Sequence, residues 1–399
     1  MRTRLIVPSL LVVVALALGA CSGGGGAPSS AKDTSPIKIG ALCDLTGATA
    51  DVGVPYCQAE RDYVEFINGQ GGIKGRQINL IAEDYEYKVP RAEELYNRYV
   101  NQDKVVAIMA WGTGDSEALR PKVTQDKIPF LSASYAEPLI ADVNATPYNF
   151  MIGATYSDQG KILLKYFKDN WKESRAPRVQ FVVHDSPFGR SPIEDSKAYG
   201  KTIGVEFGED VIMPGGAPDL APQMLPLKSN EPDLLIFNNV AAPTAVGAKG
   251  ARTAGLKSTL GTVNWGIGET TLKVGGEAAD GMLGAGAFAF LDEDKPGHKE
   301  IKDFNERKSV NWKTLPVNYV QGWVTMKVML EGVNRVDGAI TGENLKKALE
   351  TLKDYDTGGV TAPITFSEKS HKGNVSTKVY KSDAKDNRWV AVSEYIKAQ

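Results

Sequence analysis

The chain has 399 residues, of which 42% are hydrophobic, 24% charged and 8% aromatic. This composition is typical of a globular protein and excludes a disordered, a collagen-like and a polytopic membrane protein. The 46 Lys and Arg residues against 48 Asp and Glu residues give a net charge of -2, so no basic surplus favours nucleic acid as a partner. Because the chain has only three His and three Cys residues, we expect no metal centre, and we expect no cofactor.

The N-terminus predicts an export signal. Arg2 and Arg4 precede an apolar stretch, residues 5–18, which is too short for a comfortable membrane span. The stretch ends in the sequence LGAC at residues 18–21. This sequence resembles the lipobox of bacterial lipoproteins, in which the Cys, here Cys21, is acylated and the chain is cut just before it. An ordinary secretory signal with an incidental Cys is the alternative.

Three N-terminal features are therefore predicted: a lipoprotein signal peptide at residues 1–20, lipidation of Cys21, and a flexible tether at residues 21–35. The Gly, Ser, Ala and Pro residues of the tether are typical of a segment that buries nothing. We expect the protein in the bacterial cell envelope, facing the periplasm or the cell exterior, with the lipid anchor as its only link to the membrane.

Two cysteines, Cys43 and Cys57, remain once Cys21 is acylated. Disulfides persist outside the cytoplasm, and a bridge over this loop would add roughly 3 kcal/mol on the chain-entropy model. The sequence leaves two alternatives open, a disulfide or two buried free thiols.

Strands and helices alternate from residue 37 onward. The first part of the chain predicts strands at residues 37–42, 77–82 and 105–109 and helices at residues 54–68 and 90–101. Such alternation indicates parallel sheets covered by helices.

The same pattern restarts after residue 151. It predicts helices at residues 156–171, 193–200 and 243–255 and strands at residues 179–184, 234–237 and 282–290. The remainder predicts helices at residues 299–308, 317–333 and 344–352 and β-rich segments at residues 364–366 and 375–380. We therefore predict an α/β protein with two doubly wound parallel-sheet lobes, which the C-terminal third completes.

Motifs for catalysis are missing from the sequence. The segment 195–202 keeps the Gly-Lys-Thr of a phosphate loop but has Asp195 in place of the first Gly. No nucleophile elbow, zinc-protease helix or dinucleotide-binding turn occurs. His184 and Asp185 are adjacent strand residues that point to opposite faces, so they cannot share a proton. We expect a protein that is not an enzyme.

Several short motifs, taken together, resemble one family. They are IKIGALCDLTG at residues 37–47, NGQGGIKG at 68–75, KIPFLS at 127–132, EPD at 231–233 and AGLK at 254–257. In this order and spacing they are similar to the branched-chain amino acid type of periplasmic binding protein, the substrate-binding component of ABC importers. The resemblance implies the periplasmic binding protein type 1 fold, in which two lobes joined by three hinge crossovers close over a small ligand.

The resemblance also implies an organisation and partners. We expect an N-terminal lobe at residues 36–153 plus 287–363 and a C-terminal lobe at residues 154–286 plus 364–399. The expected partners of this monomer are the small ligand, an amino acid or a small carboxylate or amide, and the permease and ATPase subunits.

Candidate ligand contacts follow the predicted strands, because open α/β sheets bind ligands beyond the carboxyl ends of their strands. After the strand at 105–109, Trp111, Thr113 and Gly114 lead into a helix predicted near Glu117, and a helix N-terminus suits a carboxylate. Thr113 matches the family position that holds the ligand carboxylate. The alternative is that Thr113 only caps the helix.

The next loop matches the family segment that meets the ligand's ammonium group. Its candidate residues are Ser134, Tyr135 and Ala136, with Ala136 at the position of a family Thr. In the second lobe the family tyrosine falls on Ala241, and the family's acidic residue falls on Asn264. Since the lost charge removes a charge-assisted bond of about 1.5 to 3 kcal/mol, a standard α-amino acid is a less suitable ligand than the resemblance implies.

We expect large aromatic side chains to compensate for these departures. Trp111, Tyr135, Phe188 and Trp265 follow predicted strands and would favour an apolar or aromatic carboxylate or a bulky amino acid. The alternative is that two of the four are only core residues of the lobes. Asp185 is a candidate for the missing negative charge. We expect a substrate-binding lipoprotein of an ABC importer for an amino-acid-like or organic-acid solute. The alternative is a sensor-type binding protein for amides or aromatic carboxylates.

Overall fold

The computed structural model describes residues 33–398. The predicted signal peptide at 1–20, Cys21 and most of the predicted tether lie outside the described residues. From Ser35 onward the described chain forms one compact unit. None of its helices is both long enough and apolar enough to cross a membrane.

Strands and helices alternate through most of the described residues. The strands are β1 (Ile37–Cys43), β2 (Ile78–Asp84), β3 (Ala107–Ala110), β4 (Phe130–Ser132), β5 (Asn149–Phe150), β6 (Arg178–His184), β7 (Glu206–Phe207), β8 (Val211–Met213), β9 (Leu234–Asn238), β10 (Thr259–Val263), β11 (Leu283–Gly286), β12 (Ser376–Asp383), β13 (Arg388–Ala391) and β14 (Ile396–Lys397). The α-helices are α1 (Ala50–Gly69), α2 (Val89–Arg98), α3 (Thr113–Asp126), α4 (Tyr156–Asp169), α5 (Pro187–Arg190), α6 (Ile193–Thr202), α7 (Ala221–Met224), α8 (Ala241–Thr253), α9 (Glu269–Gly275), α10 (Lys299–Arg307), α11 (Val317–Arg335) and α12 (Gly342–Leu349).

The first sheet is parallel and has the strand order β2-β1-β3-β4-β5. Its central strands are buried on both faces, which matches the continuous apolar runs of a sheet covered by helices. Helix α1 packs along α11 so closely that a Cβ at Gly322 would lie 2.1 Å from the Tyr56 carbonyl oxygen. This contact joins a late helix of the chain to the first sheet.

The second sheet is mixed, with the order β13-β12-β11-β10-β9-β6-β7. Strands β9, β10 and β11 are parallel neighbours, whereas β12 and β13 pair antiparallel. The chain therefore runs from the first sheet to the second, returns to α1 through α10–α12, and ends in the second sheet. This course confirms the predicted two-lobed periplasmic binding protein type 1 fold. The residue boundaries of the lobes stay a prediction.

Several predicted elements differ from the structure. Helix α1 begins at Ala50, four residues before the predicted start. Helix α3 begins at Thr113, before the predicted start at Glu117, because the turn Gly112–Asp115 closes its own capping bonds. The strand predicted at 282–290 ends at Gly286, and the chain then leaves the sheet. The segment predicted at 364–366 forms only an isolated pair between Ile364 and Tyr355.

A disulfide joins Cys43 at the end of β1 to Cys57 in α1, with the Cα atoms 5.9 Å apart, within the usual range for a bridge. It ties helix to sheet beside the carboxyl ends of the strands. Glu60 lies one turn further along α1, is 2% exposed, and has a carboxyl oxygen within 4.8 Å of both sulfurs. Burial raises the pKa of this carboxyl to about 8.

Ionic contacts bridge the regions of the two sheets. The Lys372 Nζ atom lies 3.1 Å from a Glu137 carboxylate oxygen and 3.0 Å from an Asp158 carboxylate oxygen. Asp158 belongs to α4, whereas Glu137 lies between β4 and β5 of the first sheet. His371, beside Lys372, stacks on Phe150 of β5 with ring centroids 3.9 Å apart. The segment before β12 is thus anchored to the first sheet.

Candidate ligand-binding cleft

A cleft lies where the carboxyl ends of strands from both sheets face each other. Its lining comes from the loops after β1, β2, β3, β6, β9 and β10 and from the start of α4. The lining residues are Thr49, Tyr87, Trp111, Gly112, Thr113, Tyr156, Phe188, Val240 and Trp265. The remaining free volume is about 20 Å³, roughly what one water molecule needs. An amino-acid-sized solute therefore enters only when the two sides separate.

Aromatic rings fill the cleft from both sides. The Trp265 indole, which follows β10, lies 5.0 Å from the Trp111 ring, 6.0 Å from the Tyr56 ring and 5.9 Å from the Tyr135 ring, measured between centroids. These spacings suit edge-to-face and stacked contacts. Trp265 is 3% exposed and its Nε1 donates to the Tyr156 hydroxyl at 2.9 Å. Its ring joins the two sides of the cleft through contacts with three aromatic rings.

Hydroxyl groups line the wall formed by the first sheet. The Thr113 and Ser134 hydroxyl oxygens are 2.7 Å apart, and the Ser116 and Ser132 hydroxyl oxygens are 2.9 Å apart. Thr113 and Ser116 lie in the first turn of α3, and Thr113 lines the cleft, so its hydroxyl lies at a helix N-terminus, where backbone N–H groups favour a carboxylate. The geometry therefore offers hydrogen bonds to a ligand carboxylate or amide.

A second set of bonds holds the rim beside Trp111. The Trp111 Nε1 donates to the Thr49 hydroxyl at 2.8 Å, and that hydroxyl donates to Asp44 at 2.6 Å. Asp44 also accepts from the Gly47 and Thr49 amides, so its charge is compensated by three donors in the loop, two N–H groups and one O–H group. These bonds fix the Trp111 ring before any ligand arrives.

Charged side chains lie behind the cleft. Among the described residues that line it, none is Asp, Glu, Lys or Arg. Asp115, at 2% exposed, accepts from the Tyr85 hydroxyl at 2.9 Å and the Gly112 amide at 3.2 Å. Burial raises the pKa of Asp115 to about 6, although these two hydrogen bonds lower it. Asp115 lies just behind the residues that face the cleft.

Several predicted contacts come together in the structure. Trp111, Thr113, Phe188 and Trp265 line the cleft, and Ser134 and Tyr135 contact those residues. The buried Ala136 amide donates to the Ser134 hydroxyl at 3.4 Å, and Gly114 lies beside Pro187 on the opposite side. These residues are candidates because they follow predicted strands, and the structure puts them in or beside the cleft.

Asp185 and Asn264 are placed differently. The Asp185 carboxylate is 59% exposed and pairs with Arg190, so the structure does not bring it into the cleft. The Asn264 side chain is buried and accepts from the Gln321 amide at 3.4 Å. Its Nδ2 has no hydrogen-bond partner among the described residues.

Tyr87, Thr49, Tyr156 and Val240 line the cleft but were not among the predicted contacts. The backbone bends before the Tyr87 side chain enters the cleft, because Glu86 and Tyr87 both adopt the left-handed conformation, at φ 57° and φ 56°. This conformation costs roughly 1–2 kcal/mol per residue. Nothing in the sequence signals this bend. The other three lie within six residues of a strand end or begin a helix, so the rule applied to Thr113 would have found them.

A carboxylate from one side of the cleft caps a helix on the other. Asp51, in the first turn of α1, accepts from the Ala242 amide at 2.7 Å, and Ala242 lies in the first turn of α8. Burial raises the pKa of the Asp51 carboxyl, while the bond from Ala242 lowers it. Such a cap contributes typically about 1 kcal/mol.

We expect Asp51→Ala to shift the balance towards separated sides about fivefold, because about 1 kcal/mol of capping across the cleft is lost. Small-angle X-ray scattering of the protein without ligand should then give a larger radius of gyration. Glu194→Ala, in the exposed first turn of α6, is the matched control and should leave the radius unchanged. An unchanged radius for Asp51→Ala would show that this bond does not hold the sides together.

Comparison with known proteins agrees with this geometry. A family model described as periplasmic binding protein matches residues 36–387. Leu/Ile/Val-binding protein homolog 7 of Brucella abortus is 23% identical and covers 95% of this chain and 96% of its own length. The Leu/Ile/Val-binding protein of Escherichia coli is 23% identical and covers 84% of this chain and 87% of its own length.

Solved structures share the fold. A branched-chain amino acid ABC transporter protein from Thermus thermophilus with bound valine has a TM-score of 0.85 at 25% identity, covering 91% of this chain and 96% of that chain. A fatty acid ABC transporter substrate-binding protein from Thermomonospora curvata has a TM-score of 0.82 at 21% identity, covering 92% and 93%. Because the family model spans most of the sequence, from β1 through β12, the chain belongs to the periplasmic binding protein family.

Proposed function

We propose that this protein is the lipid-anchored substrate-binding component of an ABC importer. It captures a small amino-acid-like or organic-acid solute between two closing lobes and delivers it to the permease. The observation that carries the proposal is the cleft itself. Its lining includes Thr113, with its hydroxyl group, at the start of α3 and Trp265 after β10. The LGAC sequence at residues 18–21 supports the anchor at Cys21.

The polar groups of the cleft favour a carboxylate or amide as the ligand's polar end. The Thr113 and Ser134 hydroxyls and the α3 amides supply donors, and the rings of Trp111 and Trp265 supply apolar walls. Among the described residues, the lining offers no carboxylate to an ammonium group. Valine is bound by one protein of similar structure, so α-amino acids belong among the test ligands beside acids that lack the amino group.

A sensor for amides or aromatic carboxylates is the second candidate. The observation that favours it is the same uncharged, aromatic lining, which requires no amino group on the ligand. Co-purification of the protein with permease and ATPase subunits would support the importer. Association with a signalling receptor, and none with a permease, would support the sensor.

The first experiment is a melting screen of the protein lacking residues 1–21 against α-amino acids, amides, and aliphatic and aromatic carboxylates. A ligand at 100 times its dissociation constant stabilises the folded state by about 2.7 kcal/mol, so several degrees of shift are expected. If no member of these classes shifts the melting temperature, the proposed solute class is wrong.

Thr113→Val tests the polar end. We expect about tenfold weaker binding of the solute that gives the largest shift, because a hydrogen bond from the Thr113 hydroxyl to a charged group contributes about 1.5 kcal/mol or more. Thr124→Val, on the same helix but bonded to the Arg120 carbonyl, is the matched control. Equal affinity of both variants, measured by titration calorimetry, would remove Thr113 from the binding site.

A further inference from the structure

A second cavity of about 360 Å³ lies beside the cleft, within the usual range for small-molecule sites. We call it the side cavity. Its walls are residues 47–48, His184, residues 213–217 with Leu220, Asn239, and residues 242–243 with Val246. Residues 47–48 follow β1 of the first sheet, and the others belong to the region of the second sheet. The cavity is therefore built by both sides of the cleft, as the ligand site itself is.

The side cavity shares its walls with the cleft. On each of three loops, residues of the two spaces are close neighbours in sequence: Ala48 and Thr49, His184 and Phe188, and Asn239 and Val240. The His184 ring lies 6.1 Å from the Phe188 ring and 6.3 Å from the Tyr87 ring, and both of those rings line the cleft. The side cavity therefore lies directly next to the cleft, separated from it by the Tyr87, His184 and Phe188 rings.

The lining of the side cavity is mainly apolar. Met213, Pro214, Leu220 and Val246 are among its lining residues, and no described lining residue is Asp, Glu, Lys or Arg. Its polar side chains have other contacts: the His184 Nδ1 lies 2.7 Å from the Ser186 hydroxyl, and the Asn239 side chain bonds the Val240 amide. Burial also lowers the pKa of His184, which favours a neutral ring. These walls suit hydrocarbon.

One side of the side cavity is uncrowded. A Cβ added at Gly215 or Gly216 would meet no atom within 4 Å, and Gly216 has φ +67°. This loop connects β8 to α7, so its backbone is free of sheet pairing. By contrast, the central cleft has only about 20 Å³ of free space between rings that pack on one another. Extra ligand volume is therefore accommodated more easily in the side cavity.

We propose that the side cavity is a subsite for the apolar tail of an elongated ligand whose compact polar end binds at the Thr113 hydroxyl. This inference rests on the proposed function and names the solute class within it: amphipathic acids with an apolar chain longer than that of valine or leucine. The tail leaves the cleft past Val240 and His184 and lies against Val246 and Leu220.

The test is a chain-length series on the purified protein. Straight-chain carboxylates and 2-amino carboxylates of four and eight carbons are titrated by calorimetry. If the tail is buried, affinity rises about threefold to fourfold per methylene, so the eight-carbon members bind at least about 30-fold more tightly than the four-carbon members. The two series differ only in the amino group. Comparing them separates the effect of the amino group on affinity from the effect of the tail.

Val246→Trp fills the side cavity from the half-buried face of α8. It is expected to weaken binding of the eight-carbon probe at least about tenfold and to leave the four-carbon probe within about twofold. Val390→Trp is the matched control. Val390 is exposed on β13, an edge strand of the second sheet, and its replacement should change the affinity for neither probe.

Equal affinity for the two lengths, or an equal loss for both in Val246→Trp, overturns the subsite while the proposed binding function stands. If no probe of either series binds, the solute class and the subsite both fall.

Discussion

Replacing Trp265 with alanine is expected to weaken binding of the cleft ligand about 30-fold or more, the loss typical of a buried aromatic at the centre of an interface. The Trp265 indole follows a strand of the second sheet and contacts the Trp111, Tyr56 and Tyr135 rings on the other side. Without it, closing the lobes buries much less apolar surface, and the ligand loses one wall.

The measurement is titration calorimetry with the solute identified by the melting screen. Trp171→Ala is the matched control. Trp171 follows the C-terminal end of α4, whereas the cleft lies at the N-terminal end of that helix, and the Trp171 indole donates to the Arg175 carbonyl. We expect that variant to bind within about twofold of the original protein. Equal affinities for the two variants would show that Trp265 fills space but does not help to hold the ligand.

Glu60→Gln is expected to remove a large pH dependence of stability. The Glu60 carboxyl is buried, its Oε1 has no hydrogen-bond partner among the described residues, and burial raises its pKa from 4.5 to about 8, while nearby Arg61 lowers it. Between pH 4.5 and about pH 8, therefore, Glu60 is protonated in the folded protein and ionised in the unfolded chain. Stability contributed by this group is complete below pH 4.5 and falls as pH rises to about 8.

The expected size of this effect is a few kcal/mol, since each pKa unit corresponds to about 1.4 kcal/mol. Urea unfolding at pH 5 should give similar free energies for the original protein and Glu60→Gln, because glutamine resembles the protonated acid. At pH 8 the glutamine variant should be more stable.

Two other carboxyls act in the same direction. Burial raises the pKa of Asp115 to about 6 and that of Glu269 to about 7, so a weaker fall remains in Glu60→Gln. Glu206→Gln, at an exposed position of β7, is the control and should follow the original protein at both pH values. A parallel decline in Glu60→Gln and the original protein would mean that Glu60 does not carry the proton.

The sequence by itself determined the order of strands and helices and the family. Apolar runs bounded by turns placed β1, β6 and β9 within one or two residues, because local burial patterns and turn residues act over short stretches of chain. The rule that ligands bind beyond strand ends also selected Trp111, Thr113, Phe188 and Trp265, all of which line the cleft.

Only the tertiary structure decided which side chains meet. Asp185 and Phe188 follow the same strand, yet the first is exposed beside Arg190 and the second lines the cleft. The bond from Ala242 to Asp51 joins residues far apart in sequence, and the bend at Glu86 and Tyr87 has no local signal. Such contacts depend on how two sheets and their loops pack together in space, whereas periodicity and turn residues report only each segment's own surroundings.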